Sequence, residues 1–475
     1  MAGACFRRST QKTRKCCILL PISASLFSAV YIFTSHSPSS DNDVCANETV
    51  LQVENRVRSF NRRLSLGVFA KYNFTFPAYD GKDFWRGVLH GVYIYSAYLE
   101  RRSDAPWWDI RFIGIVAKRH PILTNTGRGL KCRVRVDSRI FSGKAELSLI
   151  PEDHGYEFSA AFIQCMIKEV PAANCCSRIE VALENSELPL VWLKVHNTRR
   201  IEGHDLVSVC VRPQYGPFDN LVQLVEFLTY YSVVGVSHFS FYITGESQAA
   251  YNFLRFLRDR HNIGIKLHSW NLPIDSNLIH AYGQLAFTQD CIYRAKRSSK
   301  YVAIVDLDEF IVPKLDATLP EALTALEQAY SYKSIGSFSV MNRFFCLEYS
   351  PERSLLYSTI PLLTRLYTIR EKHPWEHRYR SKYMARTNAT AIGGVHFIWK
   401  YKHDAQEIQL PEDVMVMHHY RSCCGLTQTK WLHLRTFSVL QDGGQVDDTE
   451  MQRFTPDMLN HHLIRLLLKL IEHPG

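Results

Sequence analysis

The sequence predicts an α/β fold: a Rossmann-like mixed sheet with flanking helices, preceded by a β-rich accessory domain and a single N-terminal transmembrane helix. Three observations carry this. Apolar strand-like runs alternate with helical stretches from residue 204 to 310, strand-like segments fill residues 92–195, and residues 16–35 carry no charge. Buried strands that alternate with helices build a sheet with parallel strands.

The N-terminus sets the compartment. Residues 1–15 hold five of the 56 Lys and Arg residues and no acid. The uncharged run "CCILLPISASLFSAVYIFTS" follows, and roughly 20 apolar residues suffice to cross a bilayer as a helix. Positive charge before the span and Asp41, Asp43 and Glu48 after it keep the tail cytosolic and send the body across. A cleaved signal peptide is the competing reading. The expected organisation is a cytosolic tail (1–15), a signal anchor (16–35), a stem (36–85), the β-rich domain (86–200), a catalytic domain (201–425) and a helical segment (426–475). Such a single-pass type II protein, with its body luminal, fits the Golgi membrane. Ten cysteines beyond the anchor (Cys45, Cys132, Cys165, Cys175, Cys176, Cys210, Cys291, Cys346, Cys423 and Cys424) read as disulfides of unassigned pairing. Asn47, Asn73 and Asn388 open N-x-[ST] sequons, which are glycosylation acceptors.

Composition excludes little else. Outside the tail, 51 basic residues face 46 acidic ones. There is no long basic stripe and no reader motif, so no nucleic acid is expected. A mildly basic body suits an anionic substrate such as a nucleotide sugar. The sequence is compatible with a homodimer but does not set the oligomeric state.

The elements follow in order. "VYIYSAYLE", "IRFIGIVAK", "KCRVRVDSRIF" and "LVWLKVH" are β-branched and aromatic runs broken by turn signals. Then come a strand at 204–213, a helix at 218–235 stopped by Gly235, a strand at 237–244, a helix at 247–262, a strand at 264–270, a helix at 280–299 and a strand at 300–310. Residues 455–475 form a last helix.

The motif with chemical content is "YVAIVDLDEFIVP", residues 301–313. Asp306, Asp308 and Glu309 crowd the end of an apolar strand, where ligands of α/β sheets bind. Carboxylates two apart can share one hard divalent cation, Mn²⁺ or another, which neutralises a departing diphosphate. A polar loop cap is the bland alternative. Two metal chemistries compete. A D-x-D phosphatase of the haloacid-dehalogenase type wants Thr or Val where Phe310 stands. A glycosyltransferase of the GT-A fold uses D-x-D to hold Mn²⁺ on a nucleoside diphosphate. A catalytically inactive glycan-binding protein is a third reading.

Several ordered stretches resemble glycosyltransferase family 92, formerly a domain of unknown function. They are "YIYSAYLERR", "VCVRPQYG", "LVEFLTYYSVVGVSHFSFY", "YGQLAFTQDCIYR", "YVAIVDLDEFIVP" and "MHHYRSC". The resemblance implies an inverting GT-A β-1,4-galactosyltransferase that uses UDP-galactose. Its acceptor would be a terminal galactose or fucose of glycoprotein N-glycans. It also implies that Asp306 and Asp308 bind metal, with His419 of "HHYR" as a further ligand. His418 remains an alternative and His396 a further candidate. In "EKHPWEHRYRSKYMAR", Arg380 and Lys382 can neutralise the diphosphate and Trp375 can stack on a sugar, unless the stretch is a solvated basic face. Gln284 and Asp290 either face the nucleotide or are ordinary helix-surface polarity. Glu309, Glu371, Glu376 and Asp413 are candidate bases, with Glu376 preferred for its aromatic and basic neighbours.

Overall fold

The computed structural model describes residues 48–72, 85–101, 107–120, 130–168, 178–184, 189–199, 205–356, 358–423 and 444–472. The expected tail and anchor, Asn47, Asn73, Cys45, Cys175, Cys176 and Cys424 lie outside them. Among the described residues no helix is long and apolar enough to cross a membrane.

Part of the expected stem is a helix, α1 (Glu48–Tyr72). Val53, Val57, Phe60 and Leu64 recur at helical spacing and are buried in the main core with Leu224, Leu228, Leu463 and Leu467. The intervening arginines make this segment read as polar, and only its apolar stripe betrays the packing. The Asn61 carboxamide sits in the same seam: its Oδ1 accepts from Val222 N at 3.0 Å and its Nδ2 donates to Asn220 Oδ1 at 3.0 Å.

The β-rich region is one sheet of eight strands: β1 (Arg86–Leu89), β2 (Val92–Arg101), β3 (Trp108–Ala117), β4 (Lys131–Val136), β5 (Arg139–Leu149), β6 (Phe158–Ile167), β7 (Ile179–Glu184) and β8 (Leu193–Asn197). Their order is β1-β2-β3-β6-β5-β4-β7-β8, and β8 pairs back onto β2. The sheet therefore closes into a barrel, which removes the exposed edges an open sheet would carry. Alternate residues such as Ile94, Val134, Ile163 and Leu183 pack its core, and the Cys132–Cys165 disulfide joins β4 to β6. Tyr95, Tyr98, Ile113, Phe158 and Phe162 belong to a second cluster that meets the α/β part.

That part begins β9 (Asp205–Gln214), α2 (Leu221–Val233), β10 (His238–Ile243), α3 (Gln248–His261), β11 (Gly264–Ser269), α4 (Gln284–Ala295) and β12 (Ser299–Val305). Each strand and helix expected from 204 to 299 is present, with α4 shorter because a 3₁₀ turn takes residues 280–283. Asn220 caps α2 by accepting from Gln223 N at 3.1 Å. Gly235, at φ +88°, ends the turn after it, where a Cβ would meet Pro320 at 3.0 Å.

Then follow β13 (Glu309–Pro313), α5 (Leu319–Ala329), β14 (Ile335–Cys346), α6 (Leu363–Leu366), β15 (Ile369–Glu371), β16 (Lys382–Arg386), β17 (Thr390–Gly393), β18 (Ile398–Tyr401), β19 (Gln406–Gln409), β20 (Met415–Arg421), β21 (Gln445–Asp447), α7 (Thr455–Asn460) and α8 (His462–Glu472). The expected last helix is thus broken at His461, which is extended. The α/β sheet runs β11-β10-β9-β12-β16-β14-β20-β13, with β19 beside β14. It is mixed: β9 to β12 are mutually parallel, while β16 enters antiparallel.

The strand expected over 300–310 is two strands. β12 stops at Val305, and Glu309 already belongs to β13, four positions across the sheet. In a flat sheet those positions are roughly 19 Å apart, yet the chain from Val305 to Glu309 reaches at most about 14 Å. The sheet therefore curls. β14 makes the bend by pairing with β16 through Ser337–Val340 and with β20 through Met341–Cys346.

Phe60→Ala removes a ring that is 2% exposed. It should lower unfolding free energy by about 3–4 kcal/mol, read from thermal or urea melts. An unchanged melt would mean that α1 does not pack on the core.

Candidate active site

The parallel strands reverse order between β9 and β12, because β10 and β11 lie on one side of β9 and β12 on the other. The crevice beyond the carboxyl ends at such a switch point is where α/β sheets bind ligands. Asp306 follows β12 there, and Arg212 stands near the end of β9 with its Nε 3.3 Å from Asp306 Oδ1.

The acidic turn is built by its own third carboxylate. Glu309 Oε2 accepts from Asp306 N at 2.8 Å, and Glu309 N donates to Asp306 O at 3.2 Å. Leu307 goes into the main core, and Asp306 and Asp308 remain 7% and 8% exposed. Tyr420 N donates to Asp308 O at 2.9 Å and ties the turn to β20. Glu309 is fully engaged: Lys382 Nζ, from β16, is 3.0 Å from its Oε2. Glu309 accordingly holds the turn, its carboxylate engaged by Asp306 N and Lys382.

Strand alternation decides between the two histidines. Glu309 pairs with His419 in the β13–β20 ladder. The His419 ring turns to the acids, with Nε2 3.4 Å from Asp308 Oδ2 and Nδ1 3.5 Å from Glu309 Oε1. His418 points to the other face, against Phe345 at 4.5 Å. His396 bonds locally, its Nδ1 3.1 Å from Ser381 O.

The electrostatics explain how Asp306 stays charged. Burial alone would raise the Asp306 pKa, but the Arg212 and Lys382 charges outweigh it and hold it at about 2. Burial would likewise deprotonate Lys382, and Asp306 and Glu309 keep it protonated. Within this group of side chains, Asp308 Oδ1 and the ring nitrogens of His419 are buried and make no hydrogen bond. Carboxylate oxygen with imidazole is a donor set that suits Mn²⁺, so the residues present fit a divalent cation.

An aromatic chain leads outward from His419. Its ring lies 5.0 Å from Phe344, Phe344 lies 5.7 Å from Trp375, and the Arg380 guanidinium is 5.9 Å from Trp375. Trp375 is pinned to β14 by its N–H, which donates to Asn342 O at 2.8 Å. Glu376 follows it, exposed in a turn closed by Tyr379 N donating to Glu376 O. Glu371 stands behind the chain, 3% exposed, and accepts from Phe344 N at 3.3 Å. Its burial pushes its pKa up to about 7, against the pull of that bond and of Trp375, Arg343 and Arg370.

Two further expectations are placed elsewhere. Asp290 is on no helix surface: it is 0% exposed and accepts from Ser96 Oγ (2.5 Å), Tyr98 OH (2.6 Å), Tyr242 OH (2.5 Å) and Arg294 Nε (2.6 Å). It binds the barrel to the α/β sheet. Gln284 is buried at the first turn of α4.

The residues that sequence reasoning missed are Arg212, Tyr215 and Tyr282. Tyr215 and Tyr282 stack at 3.8 Å and 8°, and Tyr215 feels the Asp306 and Asp308 charges. Ala281, Tyr282 and Gly283 all have φ between 42° and 75°. Left-handed backbone at non-glycine residues is costly and gathers at functional sites. Arg212 was findable, since it ends a predicted parallel strand just as Asp306 does.

With this geometry in place, residues 205–460, more than half of the chain, match the sequence pattern described as glycosyltransferase family 92. The chain is also similar to a beta-1,4-galactosyltransferase, galt-1, of Caenorhabditis elegans, 28% identical over 187 residues. That alignment covers 37% of this chain and 43% of the relative, so the chain spans less than half of the relative's length.

Because the Glu371 pKa is raised in the folded state, the fold binds its proton more tightly than the unfolded chain does. Stability is therefore lost as pH rises from about 4.5 to about 7. Glu371→Gln should remove this slope, worth about 3 kcal/mol across the window. Unfolding curves of both proteins from pH 4 to 8 check it, and parallel profiles would place the titration on another group.

Proposed function

The chain belongs to glycosyltransferase family 92, and from that premise we propose that it is an inverting β-1,4-galactosyltransferase of the GT-A type. It takes galactose from UDP-galactose and places it on a terminal galactose or fucose of glycoprotein N-glycans. The observation that carries the reading is the buried Asp306–Asp308–His419 group at the switch point, where Asp308 Oδ1 and the His419 ring nitrogens make no hydrogen bond. Family membership favours the transferase over the phosphatase reading.

Asp306, Asp308 and His419 would hold Mn²⁺, which when bound neutralises the leaving diphosphate. Arg212 and Lys382 add fixed positive charge on the same side and keep Asp306 ionised. The Tyr215–Tyr282 stack offers a flat aromatic wall for the uracil base. Trp375, with Arg380 over its ring, offers a face for a sugar. Glu376 accepts the proton of the acceptor hydroxyl. That oxygen bonds to the anomeric carbon of galactose from the face opposite UDP, and the carbon–oxygen bond to UDP breaks with its electron pair going to the diphosphate.

Three disulfides among the described residues, Cys132–Cys165, Cys210–Cys291 and Cys346–Cys423, support an oxidising, luminal setting. Asn388 stands exposed on the turn between β16 and β17, where an N-glycan can be carried. Residues 16–35 would anchor the protein in the Golgi membrane.

The full-length chain, expressed in a secretory host, should transfer galactose from UDP-galactose to N-glycan acceptors in Mn²⁺ and lose this in EDTA. Asp308→Asn should cut turnover by roughly 100-fold or more. Transfer from another nucleotide sugar would replace the donor, and EDTA-resistant transfer would remove the metal from the mechanism.

A further inference from the structure

A cavity of about 150 Å³ lies on one face of the parallel strands. Its floor is one face of the sheet: Ser208 and Cys210 of β9, His238 and Ser240 of β10, Lys266 and His268 of β11. Ser240 pairs with both Cys210 and Lys266, so these side chains stand on one side. The roof is the end of α4, with Tyr293, Arg294 and Arg297, and the side wall is Tyr98 and His196 of the barrel. Asp306 follows β12, and β9 and β10 stand between that strand and Lys266 on β11.

We propose that this cavity binds a tetrahedral oxyanion, phosphate or sulfate, either free or as an ester on a sugar. Three fixed cations, Lys266, Arg294 and Arg297, converge on it. Asp290 engages Arg294. Lys266 and Arg297 have no carboxylate ion pair among the described residues, and both are exposed enough to reach a ligand. The His268 Nε2 is buried without a hydrogen bond.

The field there is positive at several independent points. Burial depresses the Lys266 pKa, and the Arg294 and Arg297 charges depress it further. Burial and Arg294 bring His268 down to about 3 and His196 to about 4. Both imidazoles are therefore neutral at pH 7, and each carries one N–H to donate. Asp205 beside His238 and Asp290 beside Arg294 are the acids nearby. The carbonyl end of α4 adds about half a negative charge. Asp290 offsets Arg294, while Asp205, whose charge reaches Lys266, and the helix end offset Lys266 and Arg297 only in part. Size sets the ligand class, since drug-sized ligands need about 300 Å³ or more. This cavity holds one small anion and a few waters of roughly 30 Å³ each.

The test is thermal unfolding of the full-length chain in sodium sulfate, sodium phosphate or N-acetylglucosamine 6-sulfate, against sodium chloride of equal ionic strength. The wild type should show a saturable rise in Tm. Lys266→Ala/Arg297→Ala should weaken the half-saturating concentration at least tenfold, while the exposed-lysine control Lys400→Ala leaves it unchanged. Galactosyl transfer should survive in the double variant, because neither residue lies in the acidic site. Saturation at lower concentration by the sugar ester than by the inorganic anions, or the reverse, supports the site and names its source. A rise that does not saturate, or is equal in all three proteins, is general salting by a kosmotrope and overturns the proposal.

Discussion

Three carboxylates in four residues, nearly out of water, are the demand around which this structure is arranged. Asp306, Asp308 and Glu309 cannot share a dry turn unless cations reach them. Arg212 comes from β9 and Lys382 from β16, and β20 adds the His419 ring, three strands that are distant in sequence. They converge because the sheet curls, and it curls because three residues must link β12 to β13. The turn thus ties sheet geometry to site chemistry: the curl that delivers the compensating charges is also what lets the acids exist there.

The barrel is attached by the same kind of physics, used for docking rather than chemistry. Asp290 on α4 takes hydrogen bonds from Ser96 and Tyr98 of β2 and from Tyr242 of β10. Glu100 of β2 pairs with both Lys296 and Lys402. A buried ion pair adds little net stability, but a misdocked one leaves charges unpaired, so such pairs select one orientation. The Cys210–Cys291 disulfide fastens α4 to β9 in the same layer. The barrel is thereby held in one pose against the α/β sheet, and the described residues of both belong to one compact unit.

Local pattern made much of this legible. The strand–helix alternation from 205 to 295 could be read because each element carries its own period and stop signal, such as Gly235 and the αL cap Asn262. The acidic turn was legible as a site because clustered carboxylates after an apolar run demand a reason. Less visible was anything set by long-range pairing. The helix at 48–72 hid its apolar stripe among arginines, and Asp290 looked like surface polarity because its partners lie 48 and 192 residues away.

By itself, then, the sequence determined the α/β class, the parallel core of the sheet, the turn that carries Asp306 and Asp308, and the family to which the chain belongs. Those properties follow from short-range period, propensity and motif. Only the tertiary structure decided that β12 ends at Val305, that the barrel closes through β2 and β8, that Glu309 braces the turn, and that His419 rather than His418 faces it. Each of these depends on which strands become neighbours. Pairing energy is collected across the whole sheet, so no local window of residues can report it.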